Sequence, residues 1–278
     1  DPHTGAWDLR PHAARIESIN ESTLKIWQMV TEADDWHSTA MVSTVNSAAS
    51  RTLATLATQQ RIGTISPQFS SGWHETSDFE KGCFSKKWGP SSWDSAILQG
   101  SHLYVSTPLY KQPNRTMANQ RDWTSTDLEA LSPSAQPITQ YKPAGDRTTY
   151  DRLYTHWDDS SARAHYRIAW RTQVPLTGER TLTPSIIPPG SAHVDGLYSA
   201  GSPRQHEDGL VLASGALSSL LVDFYTRSRG FSHVRSSAAN SLPTVSTASP
   251  LALRVRYRAL RLNCLTDAYA DLWTECWD

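Results

Sequence analysis

Between Tyr166 and Arg171 the chain alternates with a period of two. Tyr166, Ile168 and Trp170 share one side, and Arg167, Ala169 and Arg171 share the other, which is the pattern of a β-strand. Pro175-Leu176-Thr177-Gly178 then carries turn chemistry, and Arg180 to Ile187 is a second β-rich run closed by Pro188-Pro189-Gly190. This predicts a hairpin near 166–188, with aromatic and aliphatic side chains buried on one face and guanidinium groups on the other. Elsewhere the spacing is helical. Ser18 to Val30 sets Leu24, Ile26, Trp27 and Val30 on an apolar side, with Glu21 just after plausible caps. A second helix is expected over Ser43 to Gln60, with Val45, Leu53 and Leu56 inward. The clearest helical face is Leu210, Ala213, Leu217, Leu220, Leu221 and Phe224.

Other stretches are less regular. Ser66 to Tyr110 mixes turn residues with short β-prone runs such as His102-Leu103-Tyr104-Val105. Asn114 to Arg147 and Ser232 to Ser249 read as polar surface loops, and Ser202-Pro203-Arg204 to Asp208 as a polar connection. After Ser249-Pro250, a plausible helix start, the run LALRVRYR fits both a strand and a helix. As a helix it puts Arg254, Arg258 and Arg261 on one side and Leu253, Tyr257 and Leu260 on another. The expected fold class is α+β. It comprises a helical N-terminal segment over 1–64, a mixed β-rich core over 65–201 containing the hairpin, and C-terminal helices over 202–278 with a Ser-rich loop at 232–249.

Composition changes this picture in three places. The 278 residues suffice for a sizeable core, and a net charge of −1 argues against a general polyanion binder. The charge is uneven, however. No Asp or Glu falls between Tyr225 and Asn263, while Arg227, Arg229, Arg235, Arg254, Arg256, Arg258 and Arg261 all do. Eleven tryptophans are far above ordinary usage and point to cores or interfaces. Three cysteines, Cys83, Cys264 and Cys276, are odd in number and lack metal spacing, so reduced thiols and a cytoplasmic setting are expected. No signal peptide or membrane-spanning run is evident, and no membrane partner is expected. The chain begins without Met, as a fragment or split subunit would.

Most catalytic signatures are missing. There is no Gly-rich phosphate loop, no GxSxG elbow, no HExxH and no CxxC pair. Asp34-Asp35 and Asp158-Asp159 read as solvated acids. His74 and Glu75, following Ser70-Ser71-Gly72-Trp73, are candidates for acid–base chemistry or for ligand contact. His193 sits just past Pro188-Pro189-Gly190, on an expected loop.

Several segments in this order carry a family resemblance: SSGWHETSDFEKGCF (70–84), GSHLYVSTPLYKQP (100–113), YRIAWR with GERTLTPSIIPPGSAHVDGL (166–197), LASGALSSLLVDFY (212–225) and LRLNCLTDAYADLW (260–273). Together they resemble the C-terminal, target-recognition half of large adenine-N6 DNA methyltransferases. That group includes type IIG restriction–modification enzymes and the methylases of the BREX and DISARM phage-defence systems. The resemblance runs from about Trp7 to the C-terminus. Its most specific element is the Arg-Thr-Leu to Ile-Pro-Pro-Gly-Ser-Ala-His run, and the helix from Leu210 with the later Leu242-Pro243 resembles a specificity-domain helix and its LP turn.

What the resemblance implies is a bacterial DNA-binding chain that reads a short duplex sequence for a catalytic lobe carried elsewhere. The Gly-rich S-adenosylmethionine motif and the Asn-Pro-Pro-Tyr motif of such lobes are both missing. Thr107-Pro108-Leu109-Tyr110 lacks the amide and the second proline and reads as structural. No cofactor and no catalysis are therefore expected in this chain, S-adenosylmethionine belonging to the lobe that flips the adenine. Double-stranded DNA and that lobe are the expected partners. Arg167, Arg171, Arg180, Arg227, Arg229 and Arg235 are the expected phosphate contacts. His74, Glu75, Asn114, His193 and Asp195 are the expected base contacts. Roughly four to six phosphate contacts imply a log–log salt slope of about −4 to −5. The strand arginines are expected to hold the backbone, and His193 to select sequence. Two alternatives stand beside this reading: a Trp-rich module for carbohydrate or protein, binding without salt dependence, and a hydrolase built on His74, Glu75 and Asp78.

Overall fold

Strand Arg167–Arg171 lies inside a four-stranded antiparallel sheet whose order is Gln68–Ser70, Leu197–Gly201, Arg167–Arg171, Ser185–Ile187. The computed structural model describes Gly5 and residues 12–203 and 207–277. Trp7, the beginning of the helical expectation at Asp8, and Arg204 lie outside the described residues. Helices and small antiparallel sheets share the chain, so the fold is α+β.

The expected hairpin strands do pair: Ile168 faces Ile186 and Arg167 faces Ile187. No tight turn joins them, though. Residues 172–184 form a long excursion, because the backbone N–H groups of Thr181 and Leu182 both donate to the Asp223 carboxylate at 2.8 Å, which holds the loop against a helix instead. The strand's alternation is also read differently by the fold. Ile168 and Trp170 enter the main core with the helices, while Ala169 packs with Ala96, Leu98, Leu103, Ile187 and Leu197 in a second core. Arg167 belongs to that second side and is fully buried, so the expected solvated arginine face does not exist.

The main core joins the two ends of the chain: Trp27 and Val30, Leu53 and Leu56 from the first part, and Ile168 and Trp170, Leu210 and Leu217, Leu260 and Leu272 from the second. Helix Glu21–Thr31 starts at Asn20, whose side chain accepts from Thr23 N–H, and helix Ser47–Ala57 is capped in the same way by Asn46. Leu53 and Leu56 point inward as expected, whereas Val45 precedes the helix and is exposed. The long helix expected from Leu210 is two helices, Glu207–Leu217 and Leu220–Arg229, bent by 67°. The break falls at Ser218-Ser219, where the Ser219 hydroxyl caps the second helix through Val222 N–H. Leu220 and Leu221 are therefore exposed, and the second helix turns Val222 and Tyr225 into the core instead. LALRVRYR resolves as helix Ala252–Asn263. It crosses helix Glu207–Leu217 so closely that a side chain at Gly215 would meet Val255 Cγ1 at 2.7 Å. The Ser-rich loop contains a short helix, Ser236–Asn240, and His102-Leu103-Tyr104-Val105 is a 3-10 turn followed by a bridge from Tyr104 to Thr107, not a strand.

Tryptophan surplus goes largely into cores. Trp73, Phe84, Tyr141, Tyr150, Tyr154 and Trp157 make a third, aromatic cluster, in which Trp73 Nε1 donates to the Tyr150 hydroxyl at 2.7 Å. Trp157 and Trp170 donate to the carbonyls of Phe69 and Val234. Cys83 and Cys276 are buried, and all three thiols are free. Among the described residues no single helix is long and apolar enough to cross a membrane.

Leu217 tests the packing. It is 4 % exposed and lines an apolar void of about 30 Å³ beside Trp170 and Leu242. Leu217→Ala enlarges a space the core already fails to fill, so the cost is expected in the upper part of the range of about 2–5 kcal/mol. Urea denaturation midpoints read this directly, and an unmoved midpoint would place Leu217 outside the core.

Candidate nucleic-acid interface

Where strand Arg167–Arg171 ends, the chain opens a polar cleft of about 720 Å³, bordered by Glu75, Gly100, Arg171 to Pro175, Asp195, Gly196, Ser232, His233 and Arg235. These come from five separate segments. One wall is an improvised pair of extended backbones: Val174 N–H donates to Ser232 O and Val234 N–H to Thr172 O, which puts Gln173 opposite His233. The opposite wall is the loop after strand Gln68–Ser70. Trp73 N–H donates to His193 O, and Asp195 N–H donates back to Trp73 O, so Glu75 and Asp195 are carried to the cleft together, with His74 beside Asp195. Gly72 permits this. Its φ is +71°, and a Cβ there would sit 2.2 Å from the His193 carbonyl oxygen.

Each polar group on the cleft is held to a different degree. Arg171 Nε donates to Gly100 O at 2.9 Å. The Glu75 carboxylate accepts from the Tyr141 hydroxyl at 2.9 Å, and burial together with that carboxylate pushes the Tyr141 phenol up, so it stays a donor. His74 Nδ1 accepts from the N–H groups of Thr76 and Ser77, which leaves Nε2 turned toward the Asp195 carboxylate at 3.7 Å. Arg235 and His233 are exposed. The whole wall at Gly100 rests on His102, which is fully buried. Its Nε2 meets Ile138 O at 2.8 Å and its Nδ1 meets Gln99 N–H at 2.9 Å, so the ring is neutral and donates through Nε2. Burial holds its pKa down to about 4.

Of the eleven candidate contacts, Glu75, Arg171, Asp195 and Arg235 border this cleft, and His74 stands beside it against Asp195. The others do not. Arg167 donates to Ser191 O and Oγ, His165 O and the Tyr154 hydroxyl inside the protein. His193 is fully buried: Nδ1 meets Val194 O at 3.1 Å and Nε2 meets Ser199 Oγ at 2.8 Å, so it is not on a reading loop. Burial, with the Arg167 charge, lowers its pKa to about 3. Arg180 donates to Ser218 O and sits 3.3 Å from Asp223. Arg227 donates to Thr181 Oγ1 and Gly178 O, and Arg229 donates to Val30 O and covers the Phe231 ring. Asn114 is spent within its own loop on Asp122 and Thr124.

No family model matches this chain, and a search of curated proteins finds no match either.

Gln99, Gly100, His102, Gln173 and His233 are site residues that the sequence reading missed. Only His102 carried any signal, as an isolated histidine in an apolar run. Among the described residues, no three His, Cys, Asp or Glu side chains come together as a metal site. His74, Glu75 and Asp78 do not form a hydrolytic constellation either. Asp78 accepts from His74 N–H and pairs with Lys81, with burial opposing and that lysine and His74 N–H favouring its charged form. The cleft is instead a set of donors and acceptors facing one space, which suits recognition.

Proposed function

We propose that this chain is the DNA target-recognition portion of an adenine-N6 methyltransferase, acting for a catalytic lobe that carries the S-adenosylmethionine site. The observation that supports it is the mixed lining of the polar cleft: guanidinium donors of Arg171 and Arg235 stand beside carboxylate acceptors of Glu75 and Asp195. A surface that only grips the phosphate backbone needs donors alone. Reading base edges in the major groove requires both donors and acceptors, because each base pair displays both. Tryptophans favour the carbohydrate alternative less, since Trp27, Trp73, Trp157 and Trp170 are buried in cores and Trp88 and Trp277 are the exposed ones among the described residues.

Salt dependence tests the proposal. Arg167, Arg180, Arg227 and Arg229 are engaged inside the protein, so of the six candidate phosphate contacts only Arg171 and Arg235 border the cleft. The expected log–log slope for duplex binding falls from about −4 to −5 to about −1 to −2, at about −0.9 per phosphate neutralised. Fluorescence anisotropy of a labelled duplex across a salt series measures it. A slope of zero would favour the uncharged binding module, and absence of binding at low salt would end the DNA reading.

A further inference from the structure

Among the cations of the cleft, Arg171 differs from Arg235 in being fixed. It ends strand Arg167–Arg171, its backbone paired with Leu197 across the sheet. Its stem packs on Gly100, where a Cβ would lie 3.6 Å from Arg171 Cγ. Nε is taken by Gly100 O, while the two terminal nitrogens have no acceptor among the described residues. Glu75 is fixed in a complementary way. Its Oε1 takes the Tyr141 hydroxyl and, at 3.4 Å, the Gln99 side-chain amide, which leaves Oε2 free. Both residues are thus anchored on one turn, Gln99-Gly100. That turn is clamped beneath by His102, and the Gln99 side-chain oxygen accepts from Gln140 Nε2 at 2.9 Å. Arg171 and Glu75 form no ion pair with each other, so each keeps hydrogen-bonding capacity for a ligand.

We propose that Arg171 and Glu75 together read one G·C base pair, Arg171 donating through its terminal nitrogens to guanine O6 and N7, and Glu75 Oε2 accepting from the cytosine N4 amino group. This rests on the DNA reading above and names its ligand edge. A guanidinium fork also fits a phosphate, but a carboxylate on the same wall repels one. A planar fork held by its Nε, beside an acceptor, matches a guanine–cytosine edge instead. The ordering cost of both side chains is already met by the fold, as preorganised recognition requires. Arg235, exposed and outside this turn, remains the phosphate contact.

The test begins with duplexes selected from a randomised pool by the full chain. Each selected guanine is then replaced by 7-deazaguanine, which lacks the N7 acceptor. Binding by the unaltered protein is expected to fall roughly 5- to 100-fold at one position. With Arg171→Gln the same replacement should change nothing, and Glu75→Ala should relax the choice of the paired cytosine. A sequence-selective protein indifferent to every 7-deazaguanine, or an Arg171→Gln chain weakened alike on all sequences, would overturn the base-pair assignment and leave the target-recognition reading standing. If the unaltered chain binds no duplex, that reading fails and takes this assignment with it.

Discussion

Arg167→Ala is expected to destabilise the protein by about 3–5 kcal/mol and to leave the salt dependence of duplex binding unchanged. The guanidinium is fully buried and spends its donors on Ser191, His165 and Tyr154. Truncation leaves a cavity and strands the Ser191 carbonyl, two costs of about 2–5 and about 1–3 kcal/mol that are partly offset by removing a buried charge with no carboxylate beside it. Arg167→Met separates these contributions. It refills the space, so its cost is expected to be clearly smaller than alanine's. Chemical denaturation of both variants, with a salt titration of each, checks the pair. A stable alanine variant with a shallower salt slope would put the side chain on the surface after all.

Acid is expected to unfold the protein through two histidines. His193 is held down to about 3 and His102 to about 4, chiefly by burial, against about 6.5 in the unfolded chain. A depressed folded-state pKa contributes stability that is complete above the unfolded value and lost as pH falls toward the folded one. The window therefore opens near pH 6.5 and runs down to about 4 for His102 and about 3 for His193. Each contributes about 2 kcal/mol of loss between pH 6.5 and about pH 4.5. Protonating His102 also removes the acceptor for Gln99 N–H, so the turn under Arg171 should loosen in the same window. Denaturation midpoints across that range measure the slope, and His102→Gln should flatten it. A midpoint independent of pH down to about 4.5 would mean these rings are not the neutral, enclosed groups described.

Helices were legible where an apolar face repeated with polar caps at its start, as at Asn20 and Asn46. The pairing of 167–169 with 185–187 was legible from two β-rich runs. What alternation could not convey is that the second face of strand Arg167–Arg171 is also covered. Period two says that two faces differ, not that one is wet. Arginine at the buried position looks like a surface residue until its acceptors are seen, and two of those are backbone carbonyls, which leave no mark in sequence. The break at Ser218-Ser219 did leave one, two small cap-forming residues inside an apolar run. The burial of His193 is hidden for a related reason, since Pro188-Pro189-Gly190 announces a turn but not that the chain dives inward after it. The cleft depends on segments around 75, 100, 171, 195 and 233, and no spacing along the chain relates them. Glu75, His74 and Asp195 stand out as polar residues beside turn glycines, and Gln99, Gly100 and His102 do not.

The polar cleft is proposed to read duplex sequence. Rounds of selection from a randomised duplex pool, at one fixed salt concentration, test it most directly. The unaltered chain is expected to enrich a short asymmetric motif containing at least one G·C pair, and the enrichment at that pair should vanish with Arg171→Gln, while His193→Ala, if folded, should enrich the same motif. A pool that emerges as random as it entered, or a motif that depends on His193 and not on Arg171, would contradict the account.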